Sequence, residues 1–239
     1  MTALSSLRPI PRPKAVLFDL FHTLASVPSP TLTGEASVPD ILGVSAAEWQ
    51  RRYYDDDVLG RCLVPIDAVE AMRTVTHSID PTVSEERILA AVESRRRRFE
   101  KGLVDIESAI LAALDRLRMA DIRTALVSDA AADDVECWQR SPLRERLDAV
   151  VFSYQIGVRK PESQIYERAL QTVGVTPAEA IFVGDGGSDE HRGARAAGMK
   201  AVLVTRFLSP CSPEVMAARR AHADWEFEDV PAFVAALEL

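Results

Sequence analysis

A chain of 239 residues with 47% hydrophobic content can bury one sizeable core, alone or with a smaller insertion. Its formal net charge of −8, with no long basic run, argues against a nucleic-acid partner. No apolar stretch approaches the roughly 20 residues that span a bilayer, and the start "MTALSSLRPIPRP" is broken by prolines without an apolar h-region, so no membrane partner is expected and the protein is expected to be soluble and cytoplasmic.

In chain order, the first apolar run predicts a strand over 15–18, ending on Asp19 in "VLFDLFHTL". From about Pro28 to Lys101 there is no convincing strand pattern, and helices are predicted over 45–59, 66–78 and 84–101. The first opens on the capping-box-like "SAAE" and the third on "SEER", with Pro39, Pro65 and Pro81 marking boundaries. A helical insertion therefore follows the first strand. Within it the run Arg95 to Arg98 points around the helix circumference and reads as solvated surface.

Further β-branched runs over 124–128, 149–152, 181–184 and 201–205 are mostly separated by segments of helical spacing. That alternation predicts an α/β fold: a Rossmann-like parallel sheet core flanked by helices, with an inserted α-helical cap. Residues 1–27 and 102–239 would form the core and 28–101 the insertion. The tail adds a helix from Ser212, a short edge strand around Trp225 and a terminal helix. Cys62, Cys137 and Cys211 show no CxxC or Cys/His spacing and read as reduced structural thiols.

In an open parallel sheet, ligands bind beyond the carboxyl ends of the strands. Those ends read "FDLFHT", "LVSDA" and "FVGDGGSDE", with "VRKPES" after the third strand. One edge would thus gather Asp19, Asp185, Asp189, Glu190, the Ser128 hydroxyl and the Lys160 ammonium. A carboxylate held near positive charge is a usable nucleophile, and Asp19 at a strand tip suits that role. For a phosphoryl group, Lys160 would supply a point charge, and Ser128 with turn amides would supply donors.

These residues resemble the haloacid dehalogenase-like (HAD) hydrolases over most of the chain. Asp19 to Thr23 is similar to the first motif, usually DxDxT; Ser128 to the second; Lys160 followed by Pro161 to the third; and "GDGGSDEHRGARAAGM" to the fourth. The insertion has the position and helical character of that family's C1 cap. The resemblance implies a Mg²⁺ ion ligated by the side chains of Asp19 and Asp185 and by the backbone carbonyl of Phe21, with Thr23 bonding near the nucleophile. It also implies a second acid in the fourth motif, for which Asp189 is preferred to Glu190; helix capping is the alternative for either.

Phe21 is the departure. In phosphatase branches the residue two after the nucleophile is an Asp that protonates the leaving oxygen; an apolar residue there looks like the 2-haloacid dehalogenases, whose halide needs no proton. Arg51 and Arg52 are the first cap arginines available to such a halide. Asp185 pulls the other way, since an acid facing Asp19 without a cation would repel it.

The favoured expectation is a Mg²⁺-dependent phosphohydrolase acting on a small anionic, phosphorylated substrate with a good leaving group. A metal-independent dehalogenase and a non-catalytic phosphate-ligand binding protein are the alternatives. Tyr53, Tyr54 and His77 are candidate replacement donors; Asp129 reads as a strand-end turn acid and His22 as a spacer.

Overall fold

The computed structural model describes residues 9–30, 34, 36–55, 59–208 and 211–239. Six parallel strands form one sheet: β1 (Ala15–Phe18), β2 (Arg123–Ser128), β3 (Ala149–Phe152), β4 (Ala180–Gly184), β5 (Lys200–Val204) and β6 (Trp225–Phe227), in the order β3-β2-β1-β4-β5-β6. β1 is central, with Phe18 opposite Leu126 of β2 and Val183 of β4.

Every residue of β1 is buried, as a strand covered on both faces requires. Alternate side chains then supply two cores. Val16, Phe18, Leu126 and Val183 pack with Leu114, Leu117 and Phe233 on one face. Leu17, Val127 and Phe182 pack with Ile165 and Tyr166 on the other. The chain is an α/β protein with a Rossmann-like parallel sheet flanked by helices.

Between β1 and β2 the described residues contain helices and no named strand. Leu42, Trp49, Tyr53, Met72, Val75 and Ile88 form an apolar cluster within this segment. Its helices start where side chains satisfy orphan amides: Asp67 accepts from the Val69 and Glu70 N–H groups ahead of Ala68–Ile79, and Ser84 accepts from Arg87 ahead of Glu85–Val104.

Two expectations need correction. The helix over 45–59 is instead a short α-helix, Ala46–Gln50, followed by a wider π turn, Arg51–Asp55, while residues 56–58 lie outside the described ones. The arginine run is not all solvated surface. Arg95 is buried, with its guanidinium 4.1 Å over the Phe99 ring and bonded to Asp133 and Asp134. Helical geometry spreads the four arginines around the axis, and the turn that faces the core puts Arg95 inside.

Candidate active site

The sheet order reverses direction at β1, with β2 on one side and β4 on the other, which opens a crevice beyond their carboxyl ends. Asp19 leaves β1 there, its N–H donating to the Val183 carbonyl at 2.9 Å. Asp185 leaves the adjacent β4, and Ser128 ends β2, buried. Lys160 enters from the loop after β3, where its backbone N–H donates to Asp129 Oδ1 at 2.8 Å. That bond gives Asp129 a turn-stabilising contact.

The Lys160 ammonium, 4% exposed, donates to Asp19 Oδ1 at 2.5 Å and to Glu190 Oε2 at 2.7 Å. Thr23 Oγ1 donates to Asp19 Oδ2 at 3.1 Å. Carboxylate oxygens of Asp19, Asp185 and Glu190 all lie within 4.8 Å of one another. Burial pushes the Asp19 carboxyl up, Lys160 pulls it back and Asp185 pushes it up again. Burial likewise holds Glu190 well above the usual carboxylate range despite Lys160. Lys160 is pushed down by burial, but the attraction of Asp19 and Glu190 outweighs this and holds it well above its ordinary value.

The turn after β4 decides which acid joins this cluster. Ser188 and Asp189 both take left-handed backbone conformations, φ 50° and 52°. That turn throws Asp189 outward, where its side chain is 67% exposed and pairs with Arg192 at 3.0 Å. The next residue, Glu190, begins the helix Glu190–Ala196 facing inward and accepts from the Gly186 N–H at 2.8 Å. Its carboxylate tucks against Gly184, where a Cβ would stand 2.0 Å from Oε1, so a side chain at that position would displace the Glu190 carboxylate. The structure thus brings Glu190, not the preferred Asp189, into the carboxylate cluster, while Asp189 lines the cleft that Lys160 also lines.

Phe21 is half-buried and meets Phe99 of Glu85–Val104 edge-on, with ring centroids 5.2 Å apart. Beside it, exposed His22 has φ 65°. Two clefts reach this edge. One, about 630 Å³, is lined by Tyr53, Tyr54, Arg61, Arg159 and Lys160. The other, about 450 Å³, is lined by Phe21, His22, Arg95, Arg98 and Phe99.

Arg51 and Arg52 line neither cleft; they bond to Glu48 at 2.7 and 2.6 Å, the i,i+3 and i,i+4 partners within their own helical segment. His77 also lines neither cleft, its Nε2 lying 3.1 Å from the Val83 carbonyl. Tyr53 is stacked on Trp49 at 4.5 Å, and Tyr54 accepts from Arg95 at 2.9 Å.

Sequence reasoning missed Arg219, which contacts Asp185 Oδ2 at 2.7 Å, and His191, buried beside it. His191 lies within the quoted fourth-motif stretch but was not singled out there, whereas Arg219 lies outside every motif and only the fold brings its helix, Pro213–Arg220, to this edge.

Three clustered carboxyl groups against the two cations Lys160 and Arg219 leave a surplus of acids in a buried place. Hard oxygen donors with that surplus fit Mg²⁺ better than a thiolate- or imidazole-seeking metal.

A family profile described as haloacid dehalogenase-like hydrolase matches residues 13–198. The chain is 42% identical over 72 residues to a phosphoserine phosphatase of Thermus thermophilus, covering 30% of this chain and 29% of that protein. It is 29% identical over 166 residues to the haloacid dehalogenase-like hydrolase domain-containing protein 3 of Mus musculus, covering 68% of this chain and 59% of that protein. The matched stretches thus span less than two thirds of either relative's length. The fold is similar to that of a 2-haloacid dehalogenase from Pseudomonas syringae, with a TM-score of 0.62 and 20% identity over 93% of this chain and 96% of that one. The profile runs from the residues before β1 past the helix that carries Glu190, and the chain belongs to the haloacid dehalogenase-like hydrolases.

Proposed function

We propose that the protein is a Mg²⁺-dependent phosphohydrolase acting on a small anionic phosphate ester or anhydride with a good leaving group. The observation that carries this reading is the buried cluster of Asp19, Asp185 and Glu190, three acids gathered around Lys160 and Arg219. Asp19, Asp185, Glu190 and the Phe21 carbonyl would hold the ion. When bound, Mg²⁺ would neutralise phosphoryl oxygens that these carboxylates otherwise repel.

In this reading the Asp19 carboxylate, oriented by Thr23, attacks phosphorus. A P–O bond to Asp19 forms as the bond to the leaving oxygen breaks, and that oxygen departs with its electron pair. Lys160 and Ser128 bind the phosphoryl oxygens. Water then attacks phosphorus and breaks the Asp19–phosphoryl bond, which returns the carboxylate and releases phosphate. With Phe21 in place of an acid, no side chain at that position protonates the leaving oxygen. General acid–base help is worth about 10²- to 10⁴-fold, so acyl or enol phosphates suit the site better than alkyl phosphates.

Residues 28–101 act as a cap over the core formed by 1–27 and 102–239, closing the two clefts around substrate. A cytoplasmic location is consistent with the finding that no helix among the described residues is long and apolar enough to cross a membrane.

A 2-haloacid dehalogenase is the second reading, favoured by the apolar Phe21–Phe99 contact and by the guanidinium already paired with Asp185. Phosphate release from acetyl phosphate and chloride release from 2-chloropropionate, each with and without Mg²⁺, separate the two. Mg²⁺-dependent phosphate release that Asp19→Asn abolishes supports the phosphohydrolase. Chloride release indifferent to chelator overturns it in favour of the dehalogenase.

A further inference from the structure

Arg219 lies in the helix Pro213–Arg220, far along the chain from the motif residues it reaches. Its Nη1 donates to the backbone carbonyl of Asp185 and, at 2.7 Å, to Asp185 Oδ2. Two contacts fix this approach. His191 Nδ1 lies 3.3 Å from the Arg219 carbonyl, which can only accept, so the ring donates from Nδ1. At Gly186, φ 81°, a Cβ would lie 2.9 Å from Arg219 Cβ, so the glycine permits the helix to come this close.

Lys160 divides its ammonium between Asp19 and Glu190, which leaves Asp185 to Arg219. The other Asp185 oxygen, Oδ1, already accepts from the Gly187 N–H at 3.0 Å. A divalent cation drawn to Asp185 therefore meets one oxygen held by an amide and one held by a guanidinium.

We propose that Arg219 is an internal counter-cation for Asp185 that competes with the divalent metal for its carboxylate. The proposal rests on the metal-dependent reading above and adds to it a device that sets metal occupancy. In the metal-free protein Arg219 pairs with Asp185 Oδ2 at 2.7 Å, so the retained acid already faces a cation. Metal entry requires the guanidinium to yield. Its side chain is 23% exposed, so it has solvent to withdraw into. Metal binding is consequently weak and graded with metal concentration.

The test is isothermal titration of Mg²⁺ into the chelator-stripped, full-length protein, comparing wild type with Arg219→Met, Arg219→Gln and Arg219→Lys, each checked for folding by circular dichroism. Methionine and glutamine are two independent ways of removing the charge, so a folding failure of one leaves the other to report. Because the lost charge is partly exposed and screened, the expected gain in Mg²⁺ affinity is about tenfold for the uncharged variants. Arg219→Lys keeps the charge and should stay within about threefold of wild type, which a merely structural role would not produce.

Binding by an uncharged variant where wild type binds none supports the competition and overturns the Mg²⁺-dependent function. Equal or weaker binding by the uncharged variants, with wild type binding, overturns the competition and leaves that function standing. Absence of binding in every form overturns both.

Discussion

Replacing Lys160 with methionine keeps an unbranched stem and removes the ammonium that lies 2.5 Å from Asp19 Oδ1 and 2.7 Å from Glu190 Oε2. The buried cluster then goes from three carboxylates against two cations to three against Arg219 alone. Breaking a buried pair by deleting one partner costs about 3–5 kcal/mol, because the remaining charge is left without compensation. In a chain of this size each kcal/mol moves Tm by about 2–4 °C, so Lys160→Met should lower Tm by about 6–20 °C in chelator.

The loss should also depend on pH, with a definite sign. Burial raises the Asp19 and Glu190 carboxyls, so between the ordinary carboxylate range and those raised values the folded protein binds protons that the unfolded chain has released. Stability falls as pH rises through that window, and losing Lys160 drives both carboxyls higher still. The deficit of Lys160→Met should therefore be smaller at about pH 5 than at about pH 8. Scanning calorimetry of the two proteins at both pH values measures it. A deficit below about 1 kcal/mol, equal at the two pH values, would mean the pair behaves as a solvated one and would refute the reasoning.

Asp189→Ala should leave the Mg²⁺ dependence of kcat/KM within about twofold, whereas Glu190→Gln should raise the Mg²⁺ requirement by about tenfold or more; the reverse order would restore Asp189 to the site. Phe21→Asp should raise turnover of an alkyl phosphate by about 10²-fold or more while changing acetyl phosphate turnover little, read from the leaving-group dependence of kcat. Arg95→Met should cost about 3–5 kcal/mol in urea denaturation by stranding Asp134, and the double variant with Asp134→Asn should recover most of it. If Arg95→Met costs under about 1 kcal/mol, the Arg95–Asp134 contact is not a buried ion pair.

Asp19, Ser128 and Asp185 were legible in the sequence because each sits at a strand end, and Lys160 because its loop follows the third strand on the same side, since a parallel sheet brings all its carboxyl ends to one edge. The choice between Asp189 and Glu190 was not legible. It turns on two successive left-handed residues, Ser188 and Asp189, where the side chains themselves disfavour that conformation. Arg219 was hidden for a different reason: it is 34 residues from Asp185, and only the packing of a late helix against Gly186 joins them. Arg95 belongs to a run whose helical spacing shows that its members face different ways without showing which one faces in. The bonds of Arg51 and Arg52 to Glu48 do follow helical i,i+3 and i,i+4 spacing, and that spacing was the available sign that neither arginine was free for the cleft.

In the proposed metal-dependent reading, Phe21 and Arg219 act on the same quantity. Relative to a first motif with two acids, Phe21 removes a carboxylate from the cluster, and Arg219 adds a cation; both lower the attraction for a divalent ion. If that is how they act, Phe21→Asp and Arg219→Met should reinforce one another, since together they leave four carboxylates facing Lys160 alone. The double variant should bind Mg²⁺ about tenfold more tightly than the better single variant, measured by titration of the chelator-stripped protein. A double variant no tighter than Arg219→Met would mean that an acid at position 21 does not face the same cation. Phe21 would then owe its place to Phe99, whose ring it meets at 5.2 Å, and its effect on catalysis would run through closure of the helical segment rather than through charge.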